Sequence, residues 1–131
     1  MCSSDLTSFF NGGNVGIGTA SPGYTLDVAG SVRATVEVLS TSDARLKTDI
    51  RVIENALDKL VNIRGVTFLK SGADSRSAGV IAQEVQEVLP EVVTEDENGY
   101  MSVAYGNMVG LLVEAIKELN SKIDALEKGM T

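Results

Sequence analysis

The chain of 131 residues contains no His and no Trp, and only one Cys and two Pro. The absence of His excludes His-based acid–base catalysis and most zinc sites. The single Cys2 excludes an intrachain disulfide and a cluster of cysteines that could bind a metal. We therefore expect the protein to work without a metal ion and without a cofactor.

Basic residues are also scarce, because 11 Lys and Arg stand against 18 Asp and Glu, which gives a formal net charge of −7. A nucleic-acid partner would need a clustered basic face. No stretch approaches the roughly 18 uninterrupted apolar residues of a membrane span. The first basic residue is Arg33, so no signal-peptide pattern opens the chain. We expect a soluble protein with no nucleic-acid, membrane or small-molecule partner.

The sequence changes character near residue 41, and residues 1–41 are rich in glycine and poor in charge. Apolar and other residues alternate over 15–17, 24–28 and 32–38, which predicts three short strands. Strands of this length bury little surface by themselves. The pattern fits a fibre stem in which several chains wrap together, and it also fits a small β-meander or a disordered leader.

Residues 42–131 contain most of the charge and all of the helical periodicity, which predicts a small folded domain. Because this domain follows a β-rich segment, we expect a protein of the α+β class. The patterns predict a helix over 50–60 capped by Asp49, a strand over 66–69, a helix over 81–89 stopped by Pro90, and a hairpin turning at 97–100. The acidic hairpin turn lacks the ligand spacing of a calcium site.

The last predicted helix carries apolar residues in a strict 3-4-3-4-3 spacing, at Val109, Leu112, Ile116, Leu119, Ile123 and Leu126. A repeat with a period of 3.5 residues favours packing against a partner helix, although an amphipathic helix that packs on its own domain is the alternative. We interpret the stripe as an oligomer seam. The choice of Val or Ile alternating with Leu nominally favours two strands, a weak tendency over so short a seam.

Chemistry without His would need another base, and Lys is the remaining good candidate for activating a hydroxyl. Ser42 and Lys47 lie five residues apart, where a short turn could bring the amine to the hydroxyl. A lysine acts as a base only when burial lowers its pKa, and Leu39, Leu46 and Ile50 are near enough in sequence to supply an apolar setting. Taken alone, such a pair is common by chance, and a turn serine with a solvated lysine is the simpler interpretation.

Longer motifs add a resemblance to a known family. The run from Thr41 to Ile50 resembles the opening of the C-terminal intramolecular chaperone domain of phage tailspikes and tail fibres, as in endosialidase tailspikes, with a related version in the myelin regulatory factor family. Residues 78–85, 89–93 and 99–105 and the last helix are similar to its later parts. Residues 13–28 resemble the stem repeat that often precedes this domain, whereas the first 11 residues do not resemble the family.

The resemblance implies that residues 42–131 form a chaperone and self-processing domain after a fibre stem, residues 1–41. It implies assembly as a homotrimer together with the upstream stem, followed by release of the domain through a serine–lysine self-cleavage. Ser42 matches the family nucleophile, Lys47 matches its lysine, and the scissile bond would be Thr41–Ser42. Asp43 and Arg45 belong to the same motif without an assigned step, and Gln83 and Glu84 are similar, in sequence pattern only, to family positions near the site.

The location implied is a virion tail fibre made in the cytoplasm of the host bacterium. An alternative is a trimerisation tip of a fibre or surface adhesin that keeps the fold and is never cut. A further alternative is a cellular regulator that uses the same module. We also expect that the catalytic geometry forms only in the assembled oligomer, so that unassembled chains stay uncut.

Overall fold

The computed structural model describes residues 12–130, and the chain divides into two compact units, one ending at Leu46 and the other beginning at Lys47. The leader with Cys2 lies outside the described residues. The predicted division between Thr41 and Ser42 stays a prediction. Within the described part of the chain, no helix has the length and apolar character that crossing a membrane requires.

The first unit contains two short strands, β1 (Val15–Ile17) and β2 (Leu26–Val28), which pair in parallel. The Val15 N–H donates to the Thr25 carbonyl at 2.8 Å, and the Ala29 N–H donates to the Ile17 carbonyl at 2.9 Å. Gly16 is required because a Cβ there would collide with the carbonyl oxygen of Thr19. The first two predicted strands are therefore confirmed.

The third predicted strand, over residues 32–38, is wrong for the single chain because this stretch is irregular. Val36 and Val38 are 86% and 82% exposed. A strand is stabilised by bonds to a neighbouring strand, and within the described residues the only strand pairs are β1 with β2 and those of the second unit. The alternation therefore has no partner in one chain.

Helix α1 (Ala56–Leu60) is much shorter than the predicted helix over 50–60. Asp49 does not cap it, since Asp49 and Asn55 both have left-handed backbones, with φ of 51° and 53°, and a left-handed residue interrupts an α-helix. Asn55 occupies the N-cap position instead. Ile53, Leu57 and Leu60 are partly buried against the core. Ile50, the first position of the predicted apolar spacing, is 71% exposed. The spacing was therefore correct about burial at three of its four positions and wrong about the start of the helix.

Strand β3 (Val66–Leu69), which was predicted, pairs antiparallel with β4 (Arg76–Gly79), which was not. The register places Val66 opposite Gly79. Gly79 leaves room for the Tyr105 hydroxyl, which a Cβ would strike and which accepts the Val80 N–H at 3.2 Å. The Tyr105 side chain thus joins the end of β4 to the segment that precedes the last helix.

Helix α2 (Ala82–Val88) precedes a 3-10 turn, Pro90–Val92, so the predicted second helix and its proline stop are confirmed. Strands β5 (Val93–Glu95) and β6 (Met101–Val103) then form the predicted antiparallel hairpin. Its turn needs Gly99, which has a φ of +83°.

A 3-10 turn, Tyr105–Met108, leads into the long helix α3 (Val109–Gly129), which confirms the last predicted helix. The core of the second unit lies between α1, α2 and α3, and its buried residues are Ala56, Val85, Leu89, Val92, Met108, Leu111 and Ala115. Small paired strands with three helices confirm the α+β class.

Candidate functional site

The predicted cleavage site lies in an exposed, irregular stretch of the first unit. Thr41 and Ser42 are both exposed, and a single 3-10 turn, Ala44–Leu46, follows shortly after them. Within one chain, both side chains are therefore accessible to water.

Asp43 organises the turn that follows Ser42. Its Oδ1 accepts the backbone N–H of Arg45 at 2.8 Å, and its carbonyl accepts the N–H of Leu46 at 3.1 Å. The Arg45 guanidinium donates from Nε to Oδ1 at 3.0 Å and from Nη2 to Oδ2 at 2.8 Å. These side-chain bonds, followed by the backbone bond, lower the pKa of Asp43. The carboxylate is thus ionised at neutral pH and engaged in the turn.

Lys47 begins the second unit, and its side chain is exposed. The pairing of Ser42 with Lys47 stays a prediction. The three side chains that were expected to provide an apolar setting, Leu39, Leu46 and Ile50, are 82%, 75% and 71% exposed. Within one chain, none of these three is withdrawn from water.

The predicted oligomer seam forms an exposed stripe along α3. The exposed fractions of its side chains run from 44% to 68%, at Val109, Leu112, Ile116, Leu119, Ile123 and Leu126. The helix packs on its own domain through different residues, Leu111 and Ala115, which are buried. At 100° per residue the two stripes are about a quarter-turn apart around the helix. The packing of α3 on its own domain therefore leaves the predicted seam uncovered.

Glu118 joins α3 to α1, a role that the sequence did not suggest. Its Oε1 accepts the Ala56 N–H at 2.8 Å and its Oε2 accepts the Leu57 N–H at 2.9 Å. These are the first amides of α1, which Asn55 does not cap with its side chain. The Leu57 bond and then the Ala56 bond lower the pKa of Glu118. No local sequence signal links residues so far apart in the chain.

Glu84, which the resemblance placed near the site, has a structural role within the second unit. Its Oε2 accepts the Arg64 backbone N–H at 3.0 Å, and its Oε1 accepts the Arg64 Nε at 2.7 Å. The Arg64 side-chain bond is the main cause that lowers the pKa of Glu84. The pair holds the segment between α1 and β3 against α2.

The acidic hairpin turn uses its central carboxylate to bind its own backbone. Asp96 Oδ1 accepts the N–H groups of Asn98 and Tyr100 at 2.8 and 2.9 Å. Across residues 12–130, no three His, Cys, Asp or Glu side chains are grouped in a way that could hold a metal ion. The structure explains Asp96 as a turn residue.

Comparison with protein families gives a match over residues 42–94 to the family Peptidase_S74, described as the chaperone of endosialidase. This match confirms the resemblance that the motifs indicated. It begins at Ser42, includes α1 and α2, and ends in β5.

Comparison with curated proteins gives similarity to long tail fibre proteins. The chain is 41% identical over 95 residues to the long tail fiber protein Gp37 of Enterobacteria phage K3, an alignment that covers 66% of this chain and 8% of that protein. It is 37% identical over 99 residues to the Gp37 of Salmonella phage S16, an alignment that covers 67% of this chain and 13% of that protein. It is 32% identical over 98 residues to myelin gene regulatory factor-like A of Dictyostelium discoideum, an alignment that covers 62% of this chain and 10% of that protein. The chain thus spans a small fraction of these relatives.

Proposed function

We propose that this chain, with its match to the chaperone-of-endosialidase family, is the C-terminal intramolecular chaperone of a phage tail fibre or tailspike. It drives assembly of a homotrimer and then releases itself by cutting Thr41–Ser42. The observation that carries the proposal is that the family match begins at Ser42, the residue assigned as the nucleophile from sequence. The similarity to long tail fibre proteins supports a place in a virion tail fibre.

The proposed reaction uses Ser42 to attack its own upstream peptide bond. The Ser42 Oγ bonds to the Thr41 carbonyl carbon while its proton moves to the Lys47 amine. The bond from that carbon to the Ser42 nitrogen then breaks, and Lys47 returns the proton to the leaving amine. Water hydrolyses the resulting ester, which leaves a carboxylate on Thr41 and restores the Ser42 hydroxyl. Because the substrate is tethered, proximity supplies much of the rate advantage.

We propose that the seam packs against the α3 helices of other copies of this chain. The seam keeps a heptad spacing through the whole helix, and it stays exposed while separate residues bury α3 on its own domain. The short seam cannot by itself determine that three chains assemble, so we assign the number of chains to the stem and to the rest of the domain over residues 42–131. The unpaired valines of residues 32–38 fit strands completed by neighbouring chains.

We further propose that assembly gates the cut. Leu39, Leu46 and Ile50 are exposed in one chain, so covering them and excluding water from Lys47 would fall to neighbouring chains. A base that works only in the assembled oligomer would leave unassembled chains intact. Cleavage would then report that the fibre chains have folded together.

The first test is intact-mass analysis of freshly purified chain, with a denaturing gel. We expect fragments 1–41 and 42–131 from the unaltered chain, and an uncut chain from Ser42→Ala and Lys47→Ala. Lys47→Arg should also stay uncut, because a guanidinium stays protonated. Ser40→Ala and Lys70→Ala are the matched controls and should be cut normally. Cleavage of the Ser42→Ala chain at the same bond would overturn the nucleophile assignment.

A second test separates self-cleavage from a tip that only trimerises. Analytical ultracentrifugation of Ser42→Ala should show trimers that are never cut. An unaltered chain that forms trimers and stays intact would instead identify the non-cleaving tip. A cleavage rate that does not change with chain concentration under dissociating conditions would exclude gating by assembly.

A further inference from the structure

Asp43 directly follows the proposed nucleophile, and it fixes the chain there with both its backbone and its side chain. Its carbonyl accepts the Leu46 N–H and closes the 3-10 turn, while its Oδ1 accepts the Arg45 N–H within that turn. A side chain that accepts an N–H two residues later forms an Asx turn, which holds the local backbone in one conformation.

A second Asp–Arg pair allows the backbone bond to be separated from the ion pair. Asp49 accepts from Arg51 Nε and Nη2 at 3.0 and 2.8 Å, the same distances as in the Asp43–Arg45 pair. Asp49 has a φ of 51°, and residues 50–54 after it are irregular. An ion pair of this geometry therefore does not by itself produce a helical turn.

We propose that Asp43 is a positioning residue for self-cleavage, which acts by accepting the Arg45 N–H and not by its charge. This inference rests on the proposed function. Attack on the Thr41 carbonyl requires the Ser42 backbone to stay in one reactive geometry, and the turn restrains the chain on the C-terminal side of Ser42. The Arg45 side chain is 88% exposed, and such an exposed ion pair contributes little.

The test measures the cleavage rate of the full chain by intact mass over time. Asp43→Asn keeps an oxygen that accepts the Arg45 N–H and loses the charge, whereas Asp43→Ala loses both. We expect Asp43→Ala to cut at least about tenfold more slowly, because small misplacements of reacting groups are costly. Asp43→Asn should stay within about threefold of the unaltered chain, since Asn is as good as Asp in such caps.

Two arginine variants isolate the ion pair. Arg45→Ala keeps the backbone amide and should also stay within about threefold, because exposed ion pairs are weak. Arg51→Ala is the matched control for loss of an identical pair elsewhere. The pH dependence of the cutting rate should be the same in Asp43→Asn as in the unaltered chain, and the thermal midpoint of the second unit should not change in any of these variants.

Each remaining outcome decides against the inference. An Asp43→Asn chain as slow as Asp43→Ala, or one with a displaced pH profile, would show that the charge is required. An Asp43→Ala chain that cuts at the normal rate would overturn the inference and leave self-cleavage intact. An unaltered chain that is never cut would overturn the proposed function and this inference together.

Discussion

Residues 12–46 and residues 47–130 differ in how much apolar surface one chain can bury. No residue of the first range is buried, whereas the second range contains the entire set of buried side chains that forms the core. The first range alternates apolar residues with glycine and polar residues, and the second contains helices and two antiparallel strand pairs. Alternating residues form a surface that only another chain or strand can bury, whereas the helical spacing lets two short helices and the long helix α3 enclose a core within one chain.

Helix α3 carries a buried stripe and an exposed apolar stripe side by side. Leu111 and Ala115 are buried by the domain to which they belong, and the seam residues beside them are uncovered. The same helix therefore serves the fold of one chain and, as we propose, the joining of several. Substitutions on the buried stripe should therefore affect the stability of one chain, and substitutions on the seam should affect association.

The largest effect on folding is expected at Leu111, which is 0% exposed. Leu111→Ala should lower the free energy of unfolding of the second unit by about 2–5 kcal/mol, because it leaves a cavity in a small core. Its neighbour Leu112 is 44% exposed, so Leu112→Ala should cost less than about 1 kcal/mol in dissociated chains. Urea unfolding, at protein concentrations too low for the chains to associate, measures the loss of unfolding free energy in both variants. Equal losses in the two variants would contradict the separation of the stripes.

The largest effect on association is expected at the seam. Ile116→Asp places a charge where the proposed interface excludes water, which should cost at least about 2 kcal/mol per chain and weaken association more than tenfold. Ser121→Asp, on the opposite side of α3, is the control and should leave association unchanged. Sedimentation equilibrium measures both variants. If Ile116→Asp associates normally, α3 does not use this stripe.

A smaller effect follows from Glu118, whose folded-state pKa lies below its ordinary value. A lowered pKa means that the stabilisation is complete above the ordinary Glu pKa of about 4.3 and is lost as the pH falls through the folded-state value. Glu118→Gln should lower the unfolding midpoint at neutral pH and flatten its decline in acid. An unchanged acid slope in this variant would show that Glu118 does not contribute to the acid sensitivity.

The elements that could be predicted from sequence are those whose local pattern agrees with their tertiary contacts. Asn98-Gly99 predicted the hairpin because Gly99 supplies the left-handed residue that the turn needs. The heptad spacing predicted α3, and Pro90 predicted the end of α2. In each case a residue of few allowed conformations, or a long repeat, determines the local structure.

The elements that were missed depend on distant groups. Strand β4 has no apolar alternation, and it is ordered by pairing with β3 and by the Arg76 side chain, whose Nη2 donates to the Thr67 carbonyl at 2.7 Å. Helix α1 was placed too early because Ile50 continues the apolar spacing although it is exposed. At the candidate site, the motif indicated Ser42 and Lys47, but only the structure shows the Asp43 turn.

The smallest effect on the fold as a whole is expected from Gly16, where an added Cβ would strike the Thr19 carbonyl oxygen. Gly16→Ala should open the β1–β2 pair and speed amide exchange at Val15 and Ala29 by about tenfold, because these amides depend on local opening. Gly23→Ala is the matched control, since its Cβ would lie an ordinary 3.8 Å from Asp27 Oδ2. Neither change should move the unfolding midpoint of the second unit, whose buried residues all lie beyond Leu46. A lower midpoint in Gly16→Ala would mean that the core depends on the glycine-rich segment, and the contrast between the two ranges would then fail.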